Sequence, residues 1–329
     1  MSRAVRFNEV GPPDVLRVVE VDVPRPGKGQ VRIRVKAIGL NRAESMFRSG
    51  QYLEQPKFPA GLGYEAAGEI DEVGEGVEGF AVGDAVSVVP AFSLNEYGLY
   101  GELVLAPAHA VVKHPTSLSF VEAAASWMMY LTAYGALIDI AKLSAGDAAL
   151  IPAASSSVGI AAIQIANMVG ATPIALTRRG AKRAQLLQLG AAHVIATEEQ
   201  DLVAEALRIT GGHGARVVFD PVGGPTLAKL AAATARLGII FQYGALSPEP
   251  TPLPLFELLA KLLTIRGYVL FEVTGDPARL NAGKRFVVDG LARGALKPVI
   301  AKTFPLADIV AAHRYLESNE QVGKIVVTV

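Results

Sequence analysis

The chain has 329 residues, too many for one small core and enough for two domains. Hydrophobic residues make up 51% and charged residues 19%, which excludes a disordered chain, and 31 acidic against 31 basic residues leave no net field suited to nucleic acid or an anionic membrane surface. Cysteine is absent, so disulfides and thiolate metal sites are excluded, and no apolar run suits a signal peptide or a bilayer span, so a cytoplasmic location is expected.

Residues 1 to about 120 read as β-rich. Val31-Arg32-Ile33-Arg34-Val35 alternates apolar and charged residues, as a half-buried strand does. Between Gly61 and Val88, repeated glycines and short Val/Ile runs suggest tight turns in a compact barrel. Ser119-Phe120-Val121-Glu122 fits a capping box opening a long Ala-rich helix. From Asp147 strands and helices alternate. Strands are expected at Ala148–Ile151, Pro173–Thr177, His193–Ala196, Arg216–Phe219 and Ile239–Tyr243. Helices are expected over Val158–Val169, around Lys182–Leu189 and over Leu202–Ile209. This alternation predicts a doubly wound parallel sheet covered on both faces. A helix over Leu280–Leu291, another after Pro305 and a strand from Lys324 to Val329 close the chain.

Pro152-Ala153-Ala154-Ser155-Ser156-Ser157-Val158-Gly159 lies between a buried strand and a helix, where a dinucleotide pyrophosphate docks. The helix N-terminus offers unpaired N–H groups, and Ser155, Ser156 and Ser157 add hydroxyl donors. Two glycines of the usual G-x-G-x-x-G pattern are missing, so a ligand-free Ser-capped helix fits the bare pattern equally well. The second strand ends in Thr177-Arg178-Arg179, with Lys182 close behind and no carboxylate in competition. These cations suit the 2′-phosphate of NADP(H). A solvated basic turn is the plainer alternative, although cations oppose the dipole of a helix start.

Several ordered segments carry a family resemblance: Gly39-Leu40-Asn41-Arg42-Ala43-Glu44, Arg48-Ser49-Gly50-Gln51-Tyr52, Gly63-Tyr64-Glu65-Ala66-Ala67-Gly68, Val82-Gly83-Asp84-Ala85-Val86, Asp220-Pro221-Val222-Gly223-Gly224 and Gly323-Lys324-Ile325-Val326. Together they resemble the medium-chain dehydrogenase/reductase superfamily, and within it the zinc-independent quinone oxidoreductase branch, over essentially the whole chain. The resemblance implies an α/β fold with a GroES-like β-rich catalytic domain (1–123 with 271–329) and a Rossmann cofactor domain (124–270). Where the zinc-dependent branch holds its metal, this chain has Asn41, Tyr64 and Met128, so no metal is expected. His109, His114, His193, His213 and His313 show no ligand spacing.

The resemblance also implies site residues. Asn41 would orient the nicotinamide ribose or a substrate carbonyl, or simply be a turn residue before a helix. Tyr52 is the general-acid candidate, or only a hydrogen-bond donor; Tyr64 lines the pocket or packs the core. Thr132 and Tyr130 border the nicotinamide or pack their helix. Tyr243 and Ala245 are expected near the adenosine or diphosphate, and Phe271 and Val273 near the nicotinamide. Lys324 would meet cofactor phosphate or face solvent. The implied activity is NADPH-dependent reduction of a quinone or an α,β-unsaturated carbonyl compound. Its rivals are an enoyl-thioester reductase, a zinc-free alcohol dehydrogenase-like enzyme and a non-catalytic NADPH-binding protein. The loop Val89–Gly101 shapes a pocket entrance or an interface. A homodimer is expected, with Leu263–Val269 as a candidate edge strand.

Overall fold

The computed structural model describes residues 1–329. Val31, Ile33 and Val35 are buried, while Arg32 and Arg34 reach outward to Asp71 at 2.7 and 2.6 Å. The alternation therefore sets the inner and outer faces of the strand that contains it, as a period of two requires.

Two compact units are present, residues 1–128 with 284–292 and 298–329, and residues 129–283 with 293–297. In chain order the first unit begins with β1 (Ser2–Arg6), β2 (Arg17–Val21), β3 (Gln30–Gly39), α1 (Arg42–Arg48), β4 (Glu65–Val73), β5 (Ala85–Val88), β6 (Leu103–Pro107), β7 (Val111–Lys113) and α2 (Phe120–Ala124). The helix α3 (Trp127–Tyr134) leads into the second unit and widens into a π-helical turn over Gly135–Ile140. There follow β8 (Ala148–Ile151), α4 (Ser157–Met168), β9 (Thr172–Thr177), α5 (Arg183–Gln188), β10 (His193–Ala196), α6 (Leu202–Ile209), β11 (Ala215–Asp220), α7 (Thr226–Ala233), β12 (Thr234–Gln242), α8 (Leu255–Lys261), β13 (Thr264–Gly267) and α9 (Phe271–Thr274). The chain returns through α10 (Pro277–Ala292) to β14 (Ile300–Pro305), α11 (Ile309–Ser318) and β15 (Lys324–Thr328).

The first unit is built on a largely antiparallel sheet in the order β14-β15-β3-β4-β5-β7, with β6 added against β3. The second unit has six parallel strands in the order β10-β9-β8-β11-β12-β13. Counted from β8 as the first, this is the Rossmann order 3-2-1-4-5-6, and its switch point falls beside β8. Leu150, Ile174, Val218 and Ile240 from its central strands are completely buried.

Two expectations change. The return was expected at 271, but residues 271–283 belong with the second unit. Val273 packs against Gly135, Gly283 against Leu131 and Tyr134, and Arg279 pairs with Asp139 at 2.6 Å. The long Ala-rich helix is instead two helices. Its capping box forms as expected, Glu122 N–H donating to Ser119 Oγ at 3.3 Å and Ser119 N–H to Glu122 Oε2 at 2.9 Å. The break follows because the N–H groups of Trp127 and Met128 donate to the carboxylate of Glu65, both at 2.9 Å, in place of helical carbonyls one turn back.

His313 on α11 is completely buried, and its Nδ1 lies 3.1 Å from the Arg48 guanidinium. Burial, and then the charges of Arg48 and Arg42, push its imidazole down to about 3. The folded state thus holds it neutral, whereas the unfolded chain protonates it near its ordinary value of about 6.5. Its contribution to stability is complete above that value and is lost as pH falls toward 3. From about pH 7 to about pH 4 the native chain should lose roughly 3 kcal/mol more stability than His313→Gln, measured by urea unfolding. Parallel pH profiles for the two chains would show the assignment to be wrong.

Candidate cofactor and proton-donor sites

In the second unit, β8 delivers the chain to the loop at residues 152–156. Ser156 caps α4, its Oγ accepting the Gly159 N–H at 3.0 Å. The cap satisfies one N–H of the first turn and leaves those of Ser157 and Val158 for a ligand. A Cβ at Gly159 would stand 2.7 Å from Ala154 Cα and carbonyl oxygen, so only glycine allows the helix to sit this close to the loop. Ala153 adopts φ +48°, a left-handed conformation that glycine would take without strain. The glycine signal is weak in the sequence because alanine occupies a left-handed position of this turn.

The basic segment lies beside this loop. Lys182 Nζ donates to Ser155 Oγ at 3.3 Å, across 27 residues of sequence. Arg178 is exposed at the end of β9, next to Thr177. The absence of a competing carboxylate does not hold throughout, because Arg179 pairs with Glu198 at 2.8 Å. Arg179 is thereby committed to a carboxylate, while Arg178 is exposed and Lys182 reaches the loop. Tyr243 and Ala245 follow the carboxyl end of β12. Tyr243 stacks on Phe219 with ring centroids 3.9 Å apart, its hydroxyl buried and without a hydrogen-bond partner. Ala245 is exposed just beyond it, and Asp220 fixes the intervening turn by accepting from the N–H groups of Val222 and Gly223 at 2.8 and 3.0 Å. Thr132 is buried on α3 and Phe271 is half-buried. Val273 is completely buried, so its side chain is unavailable and only its backbone can approach a nicotinamide. The cap of α4, the loop before it and the Lys182–Ser155 hydrogen bond together present donors at the carboxyl end of β8.

In the first unit, Asn41 caps α1 in a capping box with Glu44, whose Oε2 accepts the Asn41 N–H at 2.7 Å. Asn41 Nδ2 donates to Gly39 carbonyl at 3.2 Å and to Glu65 Oε1 at 3.1 Å, and its Oδ1 accepts from Lys324. Both polar atoms are therefore engaged inside the protein. Lys324 is corrected outright: it is 1% exposed and forms an ion pair with Glu65, so its ammonium is not offered to a phosphate or to solvent. Gly39 permits this packing, since a Cβ there would collide with Ala124 carbonyl at 2.2 Å.

Tyr52, Tyr64 and Phe92 form a row, with centroids 6.3 and 6.0 Å apart in turn. The phenols of Tyr52 and Tyr64 are hydrogen-bonded, and Tyr64 also donates to Glu54 Oε1 at 3.4 Å. Glu54 accepts from Ser93 Oγ at 2.5 Å, Leu94 N–H at 2.9 Å and Asn95 Nδ2 at 3.2 Å, which ties the 93–95 loop to the row. Burial raises the Tyr52 hydroxyl above its ordinary value, and the Tyr64 hydrogen bond opposes that rise. Tyr64 is completely buried and burial raises it further, so it stays protonated as a donor. Tyr52, half-buried, is the phenol of the pair that reaches the unit's surface.

Glu44, Glu54 and Glu65 carry much of this site without having been singled out from the sequence. Asn41-x-x-Glu44 matches a capping box, and that local signal was available. Glu65 opens an apolar strand run, a position where a charge must find a partner. Burial raises Glu44 to about 6 against four hydrogen-bonding and charge effects that lower it.

A parallel sheet in the Rossmann order in one unit and a largely antiparallel sheet in the other define a two-domain α/β protein with a dinucleotide-binding type of domain. Residues 27–116 match the family described as alcohol dehydrogenase GroES-like domain, and residues 157–284 that described as zinc-binding dehydrogenase. The chain is 33% identical to the 2-haloacrylate reductase of Burkholderia sp, over 99% of its own length and 98% of that protein. A solved Escherichia coli quinone oxidoreductase complexed with NADPH is 31% identical, with TM-score 0.90 over 99% of this chain and 100% of that one. A solved NAD-dependent alcohol dehydrogenase matches at 33% identity and TM-score 0.90, over 99% of each chain. The chain belongs to the medium-chain dehydrogenase/reductase superfamily, in its quinone oxidoreductase-like branch, and is an oxidoreductase.

Removing the Lys324 ammonium would strand the buried Glu65 carboxylate. Lys324→Met should lower unfolding stability by about 3–5 kcal/mol in urea titrations near neutral pH. A loss below about 1 kcal/mol would mean that the pair is solvated.

Proposed function

We propose that the protein is a zinc-independent reductase that uses NADPH to reduce a quinone or an activated alkene conjugated to a carbonyl group. The observation that carries this reading is the hydrogen bond from Lys182 to Ser155, which sets the basic turn over the phosphate loop. When bound, the nicotinamide supplies a hydride to the electrophilic carbon of the acceptor. The open N–H groups of Ser157 and Val158 and the Ser155 hydroxyl would hold the pyrophosphate. Arg178 and Lys182 would hold the 2′-phosphate, which a bare ribose hydroxyl does not need.

Hydride addition leaves an enolate or a phenolate, and Tyr52 donates the proton that completes it. The Tyr64 hydroxyl turns its proton from Glu54 to the resulting Tyr52 phenolate, which is then reprotonated from solvent. The zinc-independent part is supported by the donor set. Cysteine is absent, no group of three or more His, Cys, Asp or Glu side chains is arranged to hold a metal, and the Lys324 ammonium already lies against Asn41 and Glu65. A dication would meet that ammonium directly. Conjugation in the acceptor spreads the developing charge, so the reaction does not require a Lewis acid of the kind alcohol oxidation uses.

NADPH consumption should be seen with quinones or enones using metal-analysed, zinc-free protein. Tyr52→Phe should lower kcat about 100-fold with little change in KM for NADPH. Absence of turnover with every such acceptor would refute the substrate class, and full turnover in Tyr52→Phe would remove Tyr52 from the mechanism.

The same proposal includes a homodimer. β13 pairs only with β12 and leaves its other edge open. Beside it on α8 Phe256 is 87% exposed and Leu259 63%, an apolar face that a monomer would leave in water. Analytical ultracentrifugation should give a dimer for the native chain and a shift toward monomer for Phe256→Asp. A monomer at micromolar concentration would contradict it. No helix is long and apolar enough to cross a membrane.

A further inference from the structure

We propose, resting on the assignment of the basic turn to the 2′-phosphate, that Glu198 is a specificity-determining residue of the cofactor site. It holds Arg179 away from that phosphate and so limits the preference for NADPH over NADH.

The sequence sets basic and acidic residues at matched places on neighbouring strands. β9 runs into Thr177-Arg178-Arg179, and β10, its parallel neighbour, runs into Thr197-Glu198-Glu199. The last paired positions, Ala196 and Thr177, bring the two strand ends side by side. Beyond them the backbones stay joined. The N–H groups of Thr197 and Glu198 donate to the carbonyls of Thr177 and Arg178 at 2.8 and 2.9 Å. Glu198 is therefore brought to the basic turn by its backbone, whichever rotamer its side chain adopts.

Two donors of the turn are already taken by carboxylates. Arg179 Nε donates to Glu198 Oε2 at 2.8 Å, and the Gly180 N–H donates to Glu199 Oε1 at 3.0 Å. Gly180 leaves room for the second contact, since a Cβ there would lie 3.0 Å from Glu199 Oε2. The hydrogen bond and charge of Glu198, and then the charge of Glu199, raise the Arg179 guanidinium above its ordinary value. The protein's own acids thus occupy the place at Arg179 that a phosphate would take.

The consequence differs for the two nucleotides. A site for NADH uses a carboxylate for the ribose 2′-hydroxyl, and a site for NADPH uses an arginine for the 2′-phosphate. Here the arginines end one strand and the carboxylates end the next, so both kinds of charge flank the turn. A 2′-phosphate has to displace Glu198 from Arg179 and remain near its negative charge, whereas a 2′-hydroxyl does neither. The Arg179 and Glu198 side chains are 79% and 46% exposed, and an ion pair so exposed is easily redirected. Solvent and salt also weaken the repulsion, so Glu198 should change NADPH affinity by about fivefold and not by orders of magnitude.

Isothermal titration of the full chain with NADPH and with NADH tests this by binding alone. Glu198→Gln should tighten NADPH about fivefold and leave NADH within about twofold of the native value. Arg179→Gln should weaken NADPH by a factor at least about threefold larger in the Glu198→Gln background than in the native chain, because only there is Arg179 released to the phosphate. Thermal melts monitored by circular dichroism would confirm that each variant is folded. Unchanged NADPH affinity in Glu198→Gln, equal tightening of both nucleotides, or the same Arg179→Gln effect in both backgrounds would overturn the role of Glu198 alone. A native chain that binds NADPH no better than NADH would overturn the assignment of the turn, and this role with it.

Discussion

Glu65 and Lys324 are buried together, 259 residues apart in sequence, and much of the first unit is arranged around them. A charge removed from water must recover its solvation from the protein. Glu65 does so with Lys324 and Asn41 on one oxygen and the first N–H groups of α3 on the other. That single carboxylate links the last strand, the cap of α1 and the start of α3. It also explains why an Ala-rich stretch with good helix propensity is divided in two: the helix dipole of α3 begins at a negative charge.

In the second unit the candidate cofactor site is shaped by strand order and backbone conformation. The 3-2-1-4-5-6 order opens a switch point beside β8, and α4 starts there. Gly159 brings helix and loop together, while Ala153 accepts a left-handed conformation in place of a glycine. Arg178 and Lys182 stand at the end of the second strand, and Lys182 already bonds to Ser155 of the loop. Solved relatives with the same TM-score include one complexed with NADPH and one described as NAD-dependent.

Features set by local physics were legible in the sequence. The β3 alternation, the Ser119–Glu122 capping box and the β-α order from residue 148 depend on neighbours within a few positions. Leu202–Ile209 was bounded to the residue, because Asp201 caps it through Val203 and Ala204 N–H groups. The basic turn was visible, but its pairing was not: Glu198 takes Arg179 from a different strand end. Lys324 was misplaced for the same reason, since its partners lie more than 250 residues earlier and no periodicity joins them. The Tyr52–Tyr64–Glu54 chain was half visible. Its two tyrosines stood in recognisable segments, while Glu54 gains meaning only when the 93–95 loop closes on it.

Cofactor choice is where the account is most exposed. The comparison of kcat/KM for NADPH and NADH, in the native chain and in the double variant Arg178→Ala, Lys182→Ala, isolates the 2′-phosphate from every other contact. The native chain should favour NADPH by about 100-fold, and the double variant should lose most of that preference with its NADH value nearly unchanged. Equal losses for both nucleotides, or a native chain that favours NADH, would contradict the assignment of the basic turn to the cofactor.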